Sequence, residues 1–136
     1  NLANLIGANH SINLTGRRFD LFHPADSLEI GPEDAALTIC ALEQVGPRHQ
    51  EFLQFLLKKK PRICVHMEPL VELYDPNNLV DHLATRFHRQ REYLSGFLPS
   101  LQQLELDGFI KILKIQRLKF GSLFHEGYSI VAWQPL

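Results

Sequence analysis

The chain has 136 residues, enough for one domain with a core of ordinary size. Hydrophobic residues make up 45% and charged residues 21%, which excludes a disordered chain. The formal net charge of -1 offers no global field for nucleic acid or an anionic membrane, and no apolar run approaches the ~20 residues that span a bilayer.

Residues 2–12 (LANLIGANHSI) carry Leu2, Leu5, Ile6 and Ile12 at partial helical spacing, weakened by Gly7. Residues 13–16 predict a turn, and residues 18–22 (RFDLF) a short strand that ends before Pro24. Residues 25–34 are polar, contain Gly31-Pro32 and predict a loop. Residues 35–42 (AALTICAL) are almost continuously apolar, the pattern of a strand buried on both faces of a parallel sheet. Gly46 punctuates the chain and Pro47 suits a first helical turn. Residues 48–60 then place Phe52, Leu53, Phe55, Leu56 and Leu57 on one broad stripe, and three lysines suit the dipole at the helix end. Pro61 stops this helix, and residues 62–66 predict a second buried strand.

Residues 77–107 read as a long helical region that Asn77 can cap, with Gly96 and Pro99 dividing it into two helices. Asp107-Gly108 predicts a turn. Two further strands follow at residues 109–115 (FIKILKI) and 127–133 (GYSIVAW). The class is therefore α/β. The middle alternation implies a parallel sheet with helical crossovers, and the last two strands, with no helix between them, imply antiparallel neighbours. Cys40 and Cys64 lie inside apolar runs and read as free buried thiols. With no signal-peptide pattern, the default expectation is a cytoplasmic protein. Basic clusters at residues 58–60 and 86–91 read as a solvated helix end and a solvated helix face.

Residues 62–75 (RICVHMEPLVELYD) pass from a buried strand into titratable groups within a few positions. Ligands of open α/β sheets collect beyond the carboxyl ends of the strands. His66, Glu68 and Glu72 are therefore predicted at the mouth of a site, with Tyr74 and Asp75 closing the stretch. A histidine of pKa about 6.5 suits a general base, and carboxylates orient it or hold substrate hydroxyls. In the competing reading, His66 and Glu68 only cap backbone groups and shape the loop. Pro69 interrupts the run, so His66, Glu68, Glu72 and His82 match no helical metal motif, and no metal is assigned. No serine or cysteine stands in a nucleophile-elbow context. Asp81, Thr85, His88 and Glu92 share a helix face and read as surface partners of Arg86, Arg89 and Arg91.

Residues 17–24 (RRFDLFHP), 36–46 (ALTICALEQVG), 62–69 (RICVHMEP), 109–115 and 128–133 (YSIVAW) resemble strands 3 to 7 of class I S-adenosylmethionine-dependent methyltransferases. The stretches VHMEPLVELYD, NNLVDHLATRFHRQREYL and FGSLFHEGYSIVAWQP resemble, more narrowly, bacterial sugar O-methyltransferases. The resemblance implies a Rossmann-like methyltransferase sheet of order 3-2-1-4-5-7-6 with strand 7 antiparallel. It also implies transfer of a methyl group from S-adenosylmethionine to a hydroxyl of a sugar or related small molecule. Asp20 would then accept from the adenine amino group with Phe22 beside the base. The loop of Ala41, Leu42 and Glu43 would lie along the methionine part of the cofactor. Tyr74, His125 and Tyr128 would face the acceptor.

Each of these residues also has a plainer role: Asp20 as a turn aspartate, Glu43 as the acidic start of a helix, His125 and Tyr128 as solubilising hairpin residues. The glycine-rich loop after strand 1 and the ribose-binding acid after strand 2 have no counterpart here. The expectation is that residues 1–136 form the C-terminal part of a single methyltransferase domain. Such a chain would self-associate or pair with its N-terminal half, and would bind the cofactor poorly alone. The competing functions are a non-catalytic α/β interaction module and, third, a metal-dependent hydrolase.

Overall fold

The computed structural model describes residues 2–121 and 126–136. The elements are α1 (Leu2–His10), β1 (Ala35–Ile39), α2 (Gln50–Lys59), β2 (Ile63–Glu68), α3 (Leu79–Gln90), α4 (Phe97–Leu106), β3 (Ile110–Gly121) and β4 (Glu126–Pro135). Short 3-10 turns lie at Glu43–Val45 and Val71–Leu73. The strands form one mixed sheet in the order β1-β2-β4-β3. β1 and β2 are parallel, joined through α2, with Thr38 opposite His66. β4 is antiparallel to both its neighbours, with Glu68 opposite Ser129. The last strand in sequence thus inserts between β2 and β3. The antiparallel pairing expected of the last two strands is present.

One face of this sheet carries Ala36, Thr38, Cys64, His66, Glu68, Ser129, Val131 and Trp133, because alternate residues of a strand share a side. The core lies between it and the helices: Phe52, Leu53, Phe55 and Leu56 come from α2, and Phe97, Leu98 and Leu101 from α4. Burial of such side chains contributes about 1.5–3 kcal/mol each, so this layer dominates the stability. The opposite face begins, on β1, with Leu37 at 59% and Ile39 at 51% exposure. Among the described strands β1 lies at the edge, bonded to β2 alone.

The helices start and stop for local reasons. α2 ends at Lys60, which takes a left-handed φ of 51° while its N–H bonds to the Leu56 carbonyl. The α3 cap is Asn78 and not Asn77: its Oδ1 accepts from the N–H groups of Val80 (3.0 Å) and Asp81 (3.2 Å). Gly96, at φ 73°, separates α3 from α4, and Pro99 sits in the first turn of α4, where its missing donor costs nothing. Arg117 of β3 grips Asp81 of α3 with two bonds of 2.7 and 2.5 Å and so straps that helix to the sheet. Neither cysteine is in a disulfide; Cys64 is buried as expected, whereas Cys40 is only half-buried.

Four further expectations are corrected. Residues 18–22 are not a strand. No described strand pairs with them, and Asp20 instead turns the chain locally, accepting from the N–H groups of Phe22 (2.9 Å) and His23 (3.4 Å). β1 stops at Ile39, because Cys40 adopts φ 46°, and it is buried on one face only. α2 begins after His49, leaving Pro47 in the preceding turn. β2 continues two residues further than predicted, to Glu68, which carries His66 and Glu68 into the sheet.

Candidate functional site

The parallel pair points the carboxyl ends of β1 and β2 in one direction, and the candidate residues gather there. Glu68, the last residue of β2, is fully buried. Its Oε1 accepts from the Ala41 N–H at 3.1 Å. The N–H groups of Leu42 and Glu43 and the Thr38 hydroxyl also act on this carboxylate and lower its pKa. Desolvation is larger, so the net shift is upward. The loop after β1 is thus folded around a buried acid.

Thr38 links that acid to His66. Its Oγ1 lies 2.9 Å from His66 Nδ1. The hydroxyl has one proton to donate and lone pairs to accept with, so it can bond the acid and the imidazole at once. The His66 ring is 0% exposed. It stacks on Trp133 at 6.1 Å and meets Phe97 edge-on at 5.1 Å. Burial pushes its pKa down to about 3. The expectation that His66 opens at the strand mouth with an ordinary pKa is corrected: the extra residues of β2 put it inside the aromatic core, where a solvated acceptor hydroxyl does not reach it.

The other predicted residues divide. Ala41 is exposed, Glu43 half-buried and Leu42 fully buried in the core, so Leu42 presents only its backbone to a ligand. Tyr128 stands over Phe120, ring centroids 5.5 Å apart, and its hydroxyl bonds the Cys40 thiol, bringing it beside this loop. The Cys40 thiol has its pKa raised, by burial first and then by the charges of Glu68 and Glu43, which keeps it neutral. Glu72 faces elsewhere: its Oε1 accepts from the Gly96 N–H at 2.5 Å and anchors the start of α4. Tyr74 is buried, edge-on to His88 at 6.1 Å and under the Arg117 guanidinium at 5.0 Å. Asp20 and Phe22 lie in the N-terminal segment, Phe22 beneath Arg48 at 4.2 Å, just ahead of α2. His125 lies outside the described residues.

Beside the loop opens a cleft of about 480 Å³, lined by Pro47 and Arg48 on one wall and by His88, Arg89, Glu92 and Tyr93 on the other. The walls are tied together: the Leu94 N–H bonds the Glu43 carbonyl at 3.0 Å. Gly46 lies so close to the Glu92 carbonyl that a Cβ there would stand 2.7 Å from it. Sequence reasoning missed Thr38, Ser129 and this cleft. Thr38 had a signal, the one hydroxyl inside an apolar strand. Arg48 and Arg89 had none, because only the tertiary fold brings them together.

Of the loop residues expected along an S-adenosylmethionine molecule, only the exposed Ala41 and the half-buried Glu43 could meet a ligand with more than backbone. They supply no glycine-rich turn for close approach of the cofactor. The described residues alone therefore do not fit the whole cofactor, and no transfer step is derived through it. Among the described residues no group of three or more His, Cys, Asp or Glu is arranged to hold a metal ion, and no helix is long and apolar enough to cross a membrane. No protein family, no curated protein and no solved structure matches this chain.

Proposed function

We propose that this chain is the acceptor-side half of an S-adenosylmethionine-dependent methyltransferase domain, acting on a hydroxyl of a sugar or related small molecule together with a cofactor-carrying segment of a longer protein. The observation that carries the reading is the strand order. The sequence β1-β2-β4-β3, parallel once and then antiparallel, is what strands 4, 5, 7 and 6 of that sheet would give. A second support is the edge of β1, which carries exposed Leu37 and Ile39 on the uncovered face. That is where strand 1 and its helices would lie. The bound cofactor supplies the electrophilic methyl group. In this reading His66, Thr38 and Glu68 are a positioning chain: they fix the backbone of Ala41 and Glu43 beside the cofactor and take no proton from the acceptor.

The test is made on the complete protein that contains this chain. S-adenosylmethionine binding is measured by calorimetry, and transfer of a labelled methyl group is followed over a panel of sugars. Binding with label in a sugar product is expected. A complete protein that binds no S-adenosylmethionine would sink the proposal. It would leave the second reading, a non-catalytic interaction module, which the sealed His66 and the bare edge of β1 favour.

A further inference from the structure

The cleft beside the Glu43 loop has a volume of about 480 Å³, inside the about 300–1,000 Å³ of ordinary small-molecule sites. Its charged lining is Arg48, Arg89 and Glu92, two cations against one anion. Among the described residues neither arginine is in an ion pair. Arg48 is held in place by the Phe22 ring, 4.2 Å from its guanidinium. The neighbouring Arg91 is drawn away over Phe87 at 5.2 Å. The cleft wall is built, since Glu92 holds a left-handed φ of 54° and the Tyr93 N–H bonds the His88 carbonyl at 3.0 Å. Tyr93 adds a half-buried ring and Ser95 an exposed hydroxyl. The carboxyl end of α3 also reaches this place, and its dipole opposes an anion. The two guanidiniums must outweigh it, and their forked donors suit a phosphate or a carboxylate.

We infer that this cleft is the acceptor subsite and takes an anionic sugar, one bearing a phosphate or a carboxylate, whose charge Arg48 and Arg89 hold. The inference rests on the methyl-transfer reading for the word acceptor alone; the binding of the anion does not need it. The opposing Glu92 makes the fit selective, because it repels a ligand whose charge enters the wrong end and accepts from a sugar hydroxyl.

The experiment titrates the 136-residue chain with glucose 1-phosphate, glucuronate and glucose, followed by NMR at low and high salt. One or both anionic sugars are expected to bind, more weakly at high salt, and glucose not to bind; whichever anion binds identifies the charged group. Arg89→Gln, checked for folding by circular dichroism, is expected to weaken that binding roughly tenfold or more. Glu92→Gln is expected to strengthen it about two- to fivefold, a gain that misfolding does not produce. Equal binding of glucose, no binding of either anion, or an Arg89→Gln chain that binds as before overturns the inference. S-adenosylmethionine is absent from this assay. A complete protein that fails to methylate therefore leaves the titration result standing, and a failed titration leaves the methyl-transfer reading standing.

Discussion

Acid should unfold this protein through His66, and the effect has a calculable size. The ring is neutral in the core, with a pKa lowered from an ordinary 6.5 to about 3 by burial. In the unfolded chain the same ring takes a proton near its ordinary value. A depressed pKa contributes stability that is present above the unfolded value and is lost as pH falls toward the folded one. The window is therefore pH 6.5 down to about 3. Each pH unit inside it is worth about 1.4 kcal/mol, so the loss is about 2 kcal/mol at pH 5 and about 5 kcal/mol at pH 3.

His66→Asn keeps a partner for Thr38 and removes the titration, at the expense of a cavity beside Trp133 and Phe97. Urea unfolding of both proteins at intervals from pH 7.5 to pH 4.5 gives the two stability curves. Their difference is the informative quantity, because His49, whose pKa burial also lowers, contributes equally to both. The native protein should lose its advantage over the variant by about 2 kcal/mol between pH 7 and pH 5. A difference that stays flat over that range would refute the burial argument. It would restore His66 as a solvent-reachable group of ordinary pKa, the form a general base needs.

Glu68→Ala leaves the Ala41 N–H without its acceptor inside the protein and should cost about 1–3 kcal/mol at pH 4.5. Because burial raises the Glu68 pKa above its ordinary 4.5, the stabilising form is the protonated one, and that contribution fades as pH rises through the raised value. Urea midpoints should therefore show the cost shrinking toward neutral pH, and a cost that grows instead would mean that the carboxylate is favoured where it lies. The exposed edge of β1 is expected to pair one chain with another, and Leu37→Lys with Ile39→Lys to remove that pairing while changing stability by less than about 0.5 kcal/mol, since both side chains are exposed. Sedimentation of the unaltered chain as a monomer at high concentration would refute the pairing.

The sequence made the helices and the sheet class legible because their signals are local. The stripe of Phe52, Leu53, Phe55 and Leu56 buries one face of α2 as its spacing requires. Asp107 and Gly108 turn the chain where that pair predicts, with Gly108 at φ 78°. The errors came where a strand depends on its neighbours. Residues 18–22 have strand-forming composition but no described strand to pair with, so Asp20 satisfies the backbone from its own side chain. Polar residues usually mark a strand end, so the sequence predicts the end of β2 at His66, two residues short of Glu68. Thr38, from the neighbouring strand β1, bonds His66 Nδ1, and the Ala41 N–H bonds Glu68, which lets both residues remain in the sheet. Periodicity within one segment carries no information about such partners.

The same dependence explains how the candidate site divides. A polar pair two residues apart on one strand shares a face, so His66 and Glu68 had to go to the same side of the sheet. That side is the one α2 and α4 cover, and covering it converts both residues from solvent-facing chemistry into buried architecture. What they position is the backbone from Cys40 to Glu43, and Cys40 in its left-handed conformation turns that backbone out of the strand. In the proposed reading the reach toward a ligand passes to residues with no shared sequence motif: Ala41 and Glu43 on the loop, Arg48 ahead of α2, Arg89 at the end of α3. They converge because the Leu94 N–H bonds the Glu43 carbonyl and joins the two loops. A buried acid shaping a loop, and a loop bond closing a cleft, together bring to one cleft side chains that are 41 positions apart in sequence, from Arg48 to Arg89.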